Sequence, residues 1–279
     1  MLDPMKTELV TGEMPLLGPG ANVLENLMQY PIPILRQAAE KRGLQVRAKA
    51  SRAELANRLL RETVRRQAED MYSQQDQSFL SVDTSYPFLT KLLRDARPKE
   101  IFDIGCGTGL VATRCRNILP ADGSYYGVDQ VAAGVDRAND RLRGDNRFHF
   151  AVEDAEGARV RHGSDLVMFC WVMNWLDTHS VNRIFRRLGK LSPDVTLITC
   201  VAFLACVKSR NGRPLGGSHQ FSVARDYLRG KDHGEAEALW DLTRYRCYYT
   251  SLVQNFRIVE EHVRPGGNIF WVARSRGRT

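Results

Sequence analysis

Residues 101–110 read Ile-Phe-Asp-Ile-Gly-Cys-Gly-Thr-Gly-Leu, an apolar strand that ends in an acid and runs into a Gly-x-Gly-x-Gly turn opening a helix. Few segments restrict a fold so tightly. Glycines are needed where a chain reverses sharply and where a ligand must approach the backbone with no Cβ in the way. Two later apolar runs also end in acids. Tyr126-Gly127-Val128-Asp129 closes twenty residues after Gly109, and Phe150-Ala151-Val152 leads into Glu153-Asp154-Ala155. Three successive strands that each deliver a carboxylate to one sheet edge describe a binding edge more readily than three unrelated loops.

The rest of the chain after Pro98 keeps the same texture. Strands are predicted at Ile101–Ile104, Tyr125–Val128, Phe148–Val152, Leu166–Cys170 and Val195–Val201, with amphipathic helical stretches at about 109–117, 131–142 and 180–190. That alternation implies a parallel, doubly wound α/β sheet. The last two runs, Phe256–His262 and Ile269–Ala273, are joined by Arg264-Pro265-Gly266-Gly267-Asn268, a turn with no helix, so they should form an antiparallel hairpin at the end of the sheet. The stretch 204–250 is longer than a plain crossover and holds Gly212, Gly216, Gly217, His219, Phe221 and Trp240.

The ligand of such an edge follows from spacing and charge. A nicotinamide dinucleotide calls for Gly-x-Gly-x-x-Gly, but here the third glycine comes one residue early and Leu110 stands in its place. Asp103, immediately before the turn, would repel a pyrophosphate and suits a cationic amino acid moiety. That combination favours S-adenosylmethionine. At these residues the chain resembles the class I S-adenosylmethionine-dependent methyltransferases, over roughly 99–275. The resemblance implies a doubly wound, seven-stranded Rossmann-like sheet with a terminal antiparallel hairpin. It implies that Asp103, Gly105, Cys106, Gly107 and Gly109 meet the methionine and ribose part of the cofactor, and that Asp129, with Gln130 beside it, binds the ribose hydroxyls. Asp154 would receive the adenine amino group with Ala155 beside the ring, though Glu153 or Glu156 could take that role. Cys170 would line the methionine end, and Trp171 and Trp175 the substrate.

The acceptor is read mostly from missing motifs. The segment Met168-Phe169-Cys170-Trp171-Val172-Met173-Asn174-Trp175 has no Asp/Asn-Pro-Pro-aromatic signature of nucleic-acid N-methyltransferases, and no Pro precedes Cys170 as cytosine C5 chemistry requires. Cys200, within Thr199-Cys200-Val201, lies in an apolar strand and reads as a buried thiol. A carboxylate acceptor needs no general base, whereas a hydroxyl or a weakly acidic carbon does. Candidate bases are His179, His219 and His233, of which His219 is chosen, with Tyr227, Tyr248 and Tyr249 as polar cavity walls. Aromatic residues at 72, 79, 86 and 88 suit either a lid over the cofactor or core contacts.

The N-terminal third differs in charge. From Arg36 to Arg66 there are ten basic residues against Glu40, Glu54 and Glu62, a net of +7 within a chain of net charge +8. Tyr30-Pro31-Ile32-Pro33 opens a helix carrying Ile34, Leu35 and Ala38. Gly43 ends it, Leu44 anchors the turn, and Ser51 caps a second helix with Glu54 at capping-box spacing and Leu55, Leu59 and Leu60 as its stripe. This helix, link, helix pattern resembles SAP-type nucleic-acid-binding modules over about 30 residues. It departs from that pattern by a longer link and by Arg47-Ala48 near the usual glycine. The organisation expected is a loose arm at 1–29, a basic SAP-like module at 30–66, a helical cap at 67–98 and the cofactor-binding domain at 99–279. No apolar run approaches the roughly 18 residues of a membrane span. The start Met1-Leu2-Asp3-Pro4 lacks a signal-peptide pattern, the six scattered cysteines form no CxxC pair, and no metal spacing is present, so a cytoplasmic protein with reduced thiols and no metal is expected. The resulting order of functions is a methyltransferase acting on a small molecule, then one acting on RNA or DNA docked through 30–66, then a non-catalytic S-adenosylmethionine-binding protein.

Overall fold

The computed structural model describes residues 27–74, 85–161, 163–173, 176, 178–202, 208–209, 236–237, 240–264 and 268–276. The chain divides into two compact units, Met1–Met71 and Tyr72–Thr279.

In the first unit, helix α1 (Ile32–Lys41) starts at Pro31, with a proline in its first turn where the missing N–H costs nothing. Gly43 ends it in the left-handed region (φ 70°), and the Leu44 amide donates back to the Ala39 carbonyl at 2.9 Å. Helix α2 (Arg52–Gln74) opens where the Ser51 hydroxyl accepts from the Glu54 amide at 3.2 Å. Leu27, Leu35, Ala38, Ala39, Ala50, Leu55, Ala56 and Leu59 form a small core of their own. Arginines hold the extended link. The Arg36 guanidinium donates to the carbonyls of Arg47 (3.0 Å) and Ala48 (2.8 Å), and Arg58 donates to that of Gln45. Part of the basic block is therefore structural. The division between units falls within α2, past the expected end of the basic module at residue 66.

The second unit holds helix α3 (Ser85–Ala96), strand β1 (Glu100–Ile104), α4 (Leu110–Cys115), β2 (Ser124–Asp129), α5 (Ala132–Arg141), β3 (Phe148–Val152) and β4 (Leu166–Cys170). There follow α6 (Thr178–Leu188), β5 (Thr196–Ala202), the two-residue strands β6 (Lys208–Ser209) and β7 (Ala236–Glu237), α7 (Trp240–Asn255), β8 (Phe256–Arg264) and β9 (Asn268–Ser275). Seven strands lie in the order β3-β2-β1-β4-β5-β9-β8, the first five parallel and β9 antiparallel to both β5 and β8. The expected terminal hairpin is thus present, with its second strand inserted beside β5. β4 is buried at all five positions, as befits a central parallel strand covered on both faces. One face packs Phe102, Val167, Phe169 and Trp271 under Ile184, Phe185 and Leu188 of α6 and Tyr248 and Leu252 of α7. The other packs Ile101, Tyr125, Met168 and Phe270 under Leu89, Leu92 and Leu93 of α3 and Ala112 of α4. Truncating one fully buried leucine such as Leu93 should cost about 2–5 kcal/mol.

No described helix is long and apolar enough to cross a membrane. The five described cysteines are free, four of them buried and Cys247 exposed. His219, His233, Tyr227, Trp175, Phe79 and the Pro265–Gly267 turn lie outside the described residues.

Candidate active site

β1 is the switch point of the sheet, because β2 and β3 follow on one side of it and β4 and β5 on the other. A doubly wound sheet opens a crevice at the C-terminal strand ends there. The Gly turn lies in that crevice. Gly105, Gly107 and Gly109 all have positive φ (81°, 52° and 74°), a conformation that penalises any Cβ. The Val128 carbonyl at the end of β2 accepts from the Gly105 amide at 2.7 Å and the Cys106 amide at 3.0 Å. A Cβ on Gly105 would also lie 2.1 Å from Cγ2 of Val172, in the segment after β4.

Asp129 ends β2 and ties the turn down. Its carboxylate accepts from the Gly107 amide and the Val131 amide, each at 2.9 Å, and so bridges the turn to the start of α5. Burial raises its pKa, against the pull of those backbone donors. Two acceptor oxygens with lone pairs to spare remain beside the turn. Asp103 is 4% exposed, and the phenol of Tyr125 donates to it. Burial pushes this carboxyl up to about 7, helped by the nearby Asp129 charge and opposed by the Tyr125 hydrogen bond. The Cys106 thiol is driven well up by burial and by Asp103 and Asp129, so it stays protonated and is no nucleophile.

The segment after β3 brings the third acid. Asp154 is exposed, and its carboxylate accepts from the Glu156 amide at 2.7 Å. Ala155 packs against the core. This loop is held from α6. Arg187 donates to the carbonyls of Ala155 (2.8 Å) and Glu156, and Nε of Arg183 donates to the Glu156 carboxylate at 2.7 Å. Sequence reasoning missed both arginines, although their i, i+4 spacing on a predicted helix was the available signal. Gln130, beside Asp129, is half-buried.

β4 ends at Cys170, which is buried with its thiol 3.6 Å from the Ile198 carbonyl. Trp171 follows with φ 60°, an outlier for so bulky a residue that costs about 1–2 kcal/mol. Its amide donates to the Cys200 carbonyl at 3.2 Å and its indole N–H to Asn268 Oδ1 at 2.9 Å. Tyr86 lies over its ring at 4.9 Å, and Phe270 meets it edge-on at 5.8 Å. From Phe270 the aromatic row continues through Phe88 (5.3 Å) to His262, whose ring is 5.0 Å from that of Phe88. Asn268, Phe270 and His262 carried no sequence signal, since only the β5–β9–β8 pairing brings them here.

One expectation is corrected. Tyr248 is no cavity wall: it is 1% exposed in the core, and its hydroxyl donates to the Leu176 carbonyl at 2.6 Å. A phenol on the inward stripe of α7 needs a buried partner, and the backbone after β4 supplies it. Tyr249 is half-buried, 5.8 Å from the Trp271 ring. Among the described residues no cluster of His, Cys, Asp and Glu could hold a metal ion.

Switch point, Gly turn and acid-lined edge together define a Rossmann-like fold with a cofactor-binding edge. Asp129, Glu153 and Asp154 on one edge suit a cationic, hydroxyl-bearing ligand and would repel a pyrophosphate, which fits S-adenosylmethionine. Residues 101–192 match the family model described as a methyltransferase domain. The fold is similar to that of the N-methyltransferase NodS from Bradyrhizobium japonicum WM9 in complex with S-adenosyl-l-homocysteine, at 12% identity over 76% of this chain and 98% of that one, with a TM-score of 0.50. It is likewise similar to PH0226 from Pyrococcus horikoshii OT3, at 15% identity over 73% of this chain and 93% of that one, TM-score 0.50. No curated protein matches the sequence. Residues 101–192 of the second unit thus match a methyltransferase domain set in a Rossmann-like fold, and the protein is an enzyme.

Proposed function

We propose that the enzyme transfers the methyl group of S-adenosylmethionine to a small-molecule acceptor. The observation that carries this reading is the aromatic wall after β4, with Trp171 pinned by Asn268 between Tyr86 and Phe270. A strained residue over-determined by its neighbours at a cofactor edge marks a functional position. Flat apolar rings with a few oriented polar groups are what a small organic ligand requires.

When bound, the cofactor supplies a sulfonium methyl already activated for attack. The protein's work is then to bind, align and exclude water. Asp129 takes the ribose hydroxyls, the Gly turn gives the methionine and ribose part close access to backbone, and Asp154, in the loop whose Ala155 and Glu156 carbonyls Arg187 holds, meets the adenine end. Cys170 flanks the methionine end. Trp171 and Tyr86 present the acceptor to it, with Phe270 packed behind the Trp171 ring and Trp175 proposed as a further substrate contact. A hydroxyl acceptor would need His219 as its base. Transfer of label from methyl-labelled S-adenosylmethionine into a fractionated extract tests the reading. Label in the low-mass organic fraction, insensitive to nuclease, is the expected result, and label released by nuclease would overturn it.

A second reading, methylation of RNA or DNA, is favoured by one observation. The first unit has its own core and exposes Lys41, Arg47, Lys49 and Arg52. Phosphate contacts from these side chains would make nucleic-acid affinity fall steeply with salt. Salt-dependent binding that is lost in the quadruple alanine variant is the outcome that would support it.

A further inference from the structure

The cofactor turn is occupied by a side chain that no motif assigns. Tyr72 belongs to the second unit, and its ring rests on two glycines of that unit. A Cβ built on Gly134 would lie 3.0 and 3.1 Å from Cδ2 and Cε2 of Tyr72, and one built on Gly107 would lie 3.1 Å from its hydroxyl. Gly134 is the third residue of α5, where glycine costs up to about 1 kcal/mol relative to alanine. The Tyr72 ring accounts for the missing methyl. The phenol is raised by burial and then by the Asp129 charge, so it stays protonated and donates toward an anionic neighbour. Tyr86, which lies over Trp171, also influences it. No hydrogen bond joins the Tyr72 hydroxyl to any described residue. The side chain is half-buried, so its hydroxyl can donate to a ligand oxygen that comes to the turn.

We infer that Tyr72 is a cofactor-binding residue whose hydroxyl donates to a ribose oxygen of S-adenosylmethionine while its ring closes over the Gly turn. Asp129 decides the end of the ligand. A ribose hydroxyl that donates to the Asp129 carboxylate keeps lone pairs to accept from Tyr72, so acid and phenol share one diol. The inference rests on the turn being the cofactor site, and the experiment separates the two failures.

Calorimetry on the full chain would compare wild type, Tyr72→Phe and Tyr72→Ala with two probes, S-adenosylhomocysteine and 5′-methylthioadenosine, which has the ribose but no amino acid carboxylate. Failure of wild type to bind S-adenosylhomocysteine would sink the cofactor assignment itself. Tyr72→Phe should weaken both probes by roughly three- to tenfold, the value of one hydrogen bond, with the melting temperature of the ligand-free protein unchanged. Tyr72→Ala should weaken both further. Unchanged affinity in Tyr72→Phe would overturn the inference. A loss confined to S-adenosylhomocysteine would overturn the ribose assignment.

Discussion

Replacing Gly134 by alanine sets two opposing effects against each other. Glycine near the start of a helix costs backbone entropy, and alanine should recover up to about 1 kcal/mol. The new methyl, however, would sit 3.0–3.1 Å from the Tyr72 ring and 3.2 Å from the Gly107 carbonyl oxygen, closer than ordinary van der Waals contact. Forcing a methyl into a packed site costs typically about 1–3 kcal/mol, and the carbonyl belongs to a turn tied to Asp129 and has little freedom to withdraw. Overpacking should therefore cancel or exceed the propensity gain, leaving Gly134→Ala neutral to about 2 kcal/mol less stable. In a Tyr72→Ala background the main obstacle is gone, and the same change should cost less or stabilise. A double-mutant cycle read from urea midpoints at constant slope should give a coupling of about 1 kcal/mol or more. Stabilisation by the full propensity amount in both backgrounds, with no coupling, would refute the packing of Tyr72 on α5.

Three further outcomes follow from the site. Asp103 titrates near 7 when folded and about 3.9 when unfolded, so the folded state holds the proton more tightly; its contribution is full at low pH and is lost as pH rises through about 7. The urea midpoint of ligand-free wild type should fall between pH 5 and 8 more than that of Asp103→Asn, and parallel profiles would contradict the raised carboxyl. Arg187→Ala removes the donor to the Ala155 and Glu156 carbonyls and frees the Asp154 loop, so S-adenosylmethionine affinity should drop about three- to tenfold by calorimetry, and an unchanged Kd would separate that loop from the cofactor. Asn268→Ala leaves the Trp171 indole N–H without its partner, at a cost of about 1–3 kcal/mol, and should lower kcat/KM for the acceptor while cofactor binding holds. An equal loss of cofactor affinity would place Trp171 on the wrong ligand.

The site was half legible in the chain itself. Strand ends, glycines and acids are local quantities, set by apolar runs, backbone conformation and the residue that follows, and these placed Gly105, Gly107, Gly109, Asp129 and Asp154 on one edge. The β5–β9–β8 pairing brought up what lies far off in sequence: Asn268 is 97 residues from the Trp171 indole it orients. Roles that depend on burial were equally hidden. Asp103 reads as an acid for a ligand's ammonium group, yet its carboxyl is met by Tyr125, a partner that exists only because β1 and β2 pair in that register.

The sequence by itself determined the order of the seven strands of the main sheet, the turn that a cofactor must approach and the acids beside it, because each is a short-range consequence of periodicity, glycine and charge, whereas helix α7 and the short strands β6 and β7 went unread. Tertiary structure alone decided which rings pack around Trp171, which arginines brace the Asp154 loop and which tyrosine lies on the turn. Those contacts join residues whose spacing along the chain carries no information until the sheet is assembled.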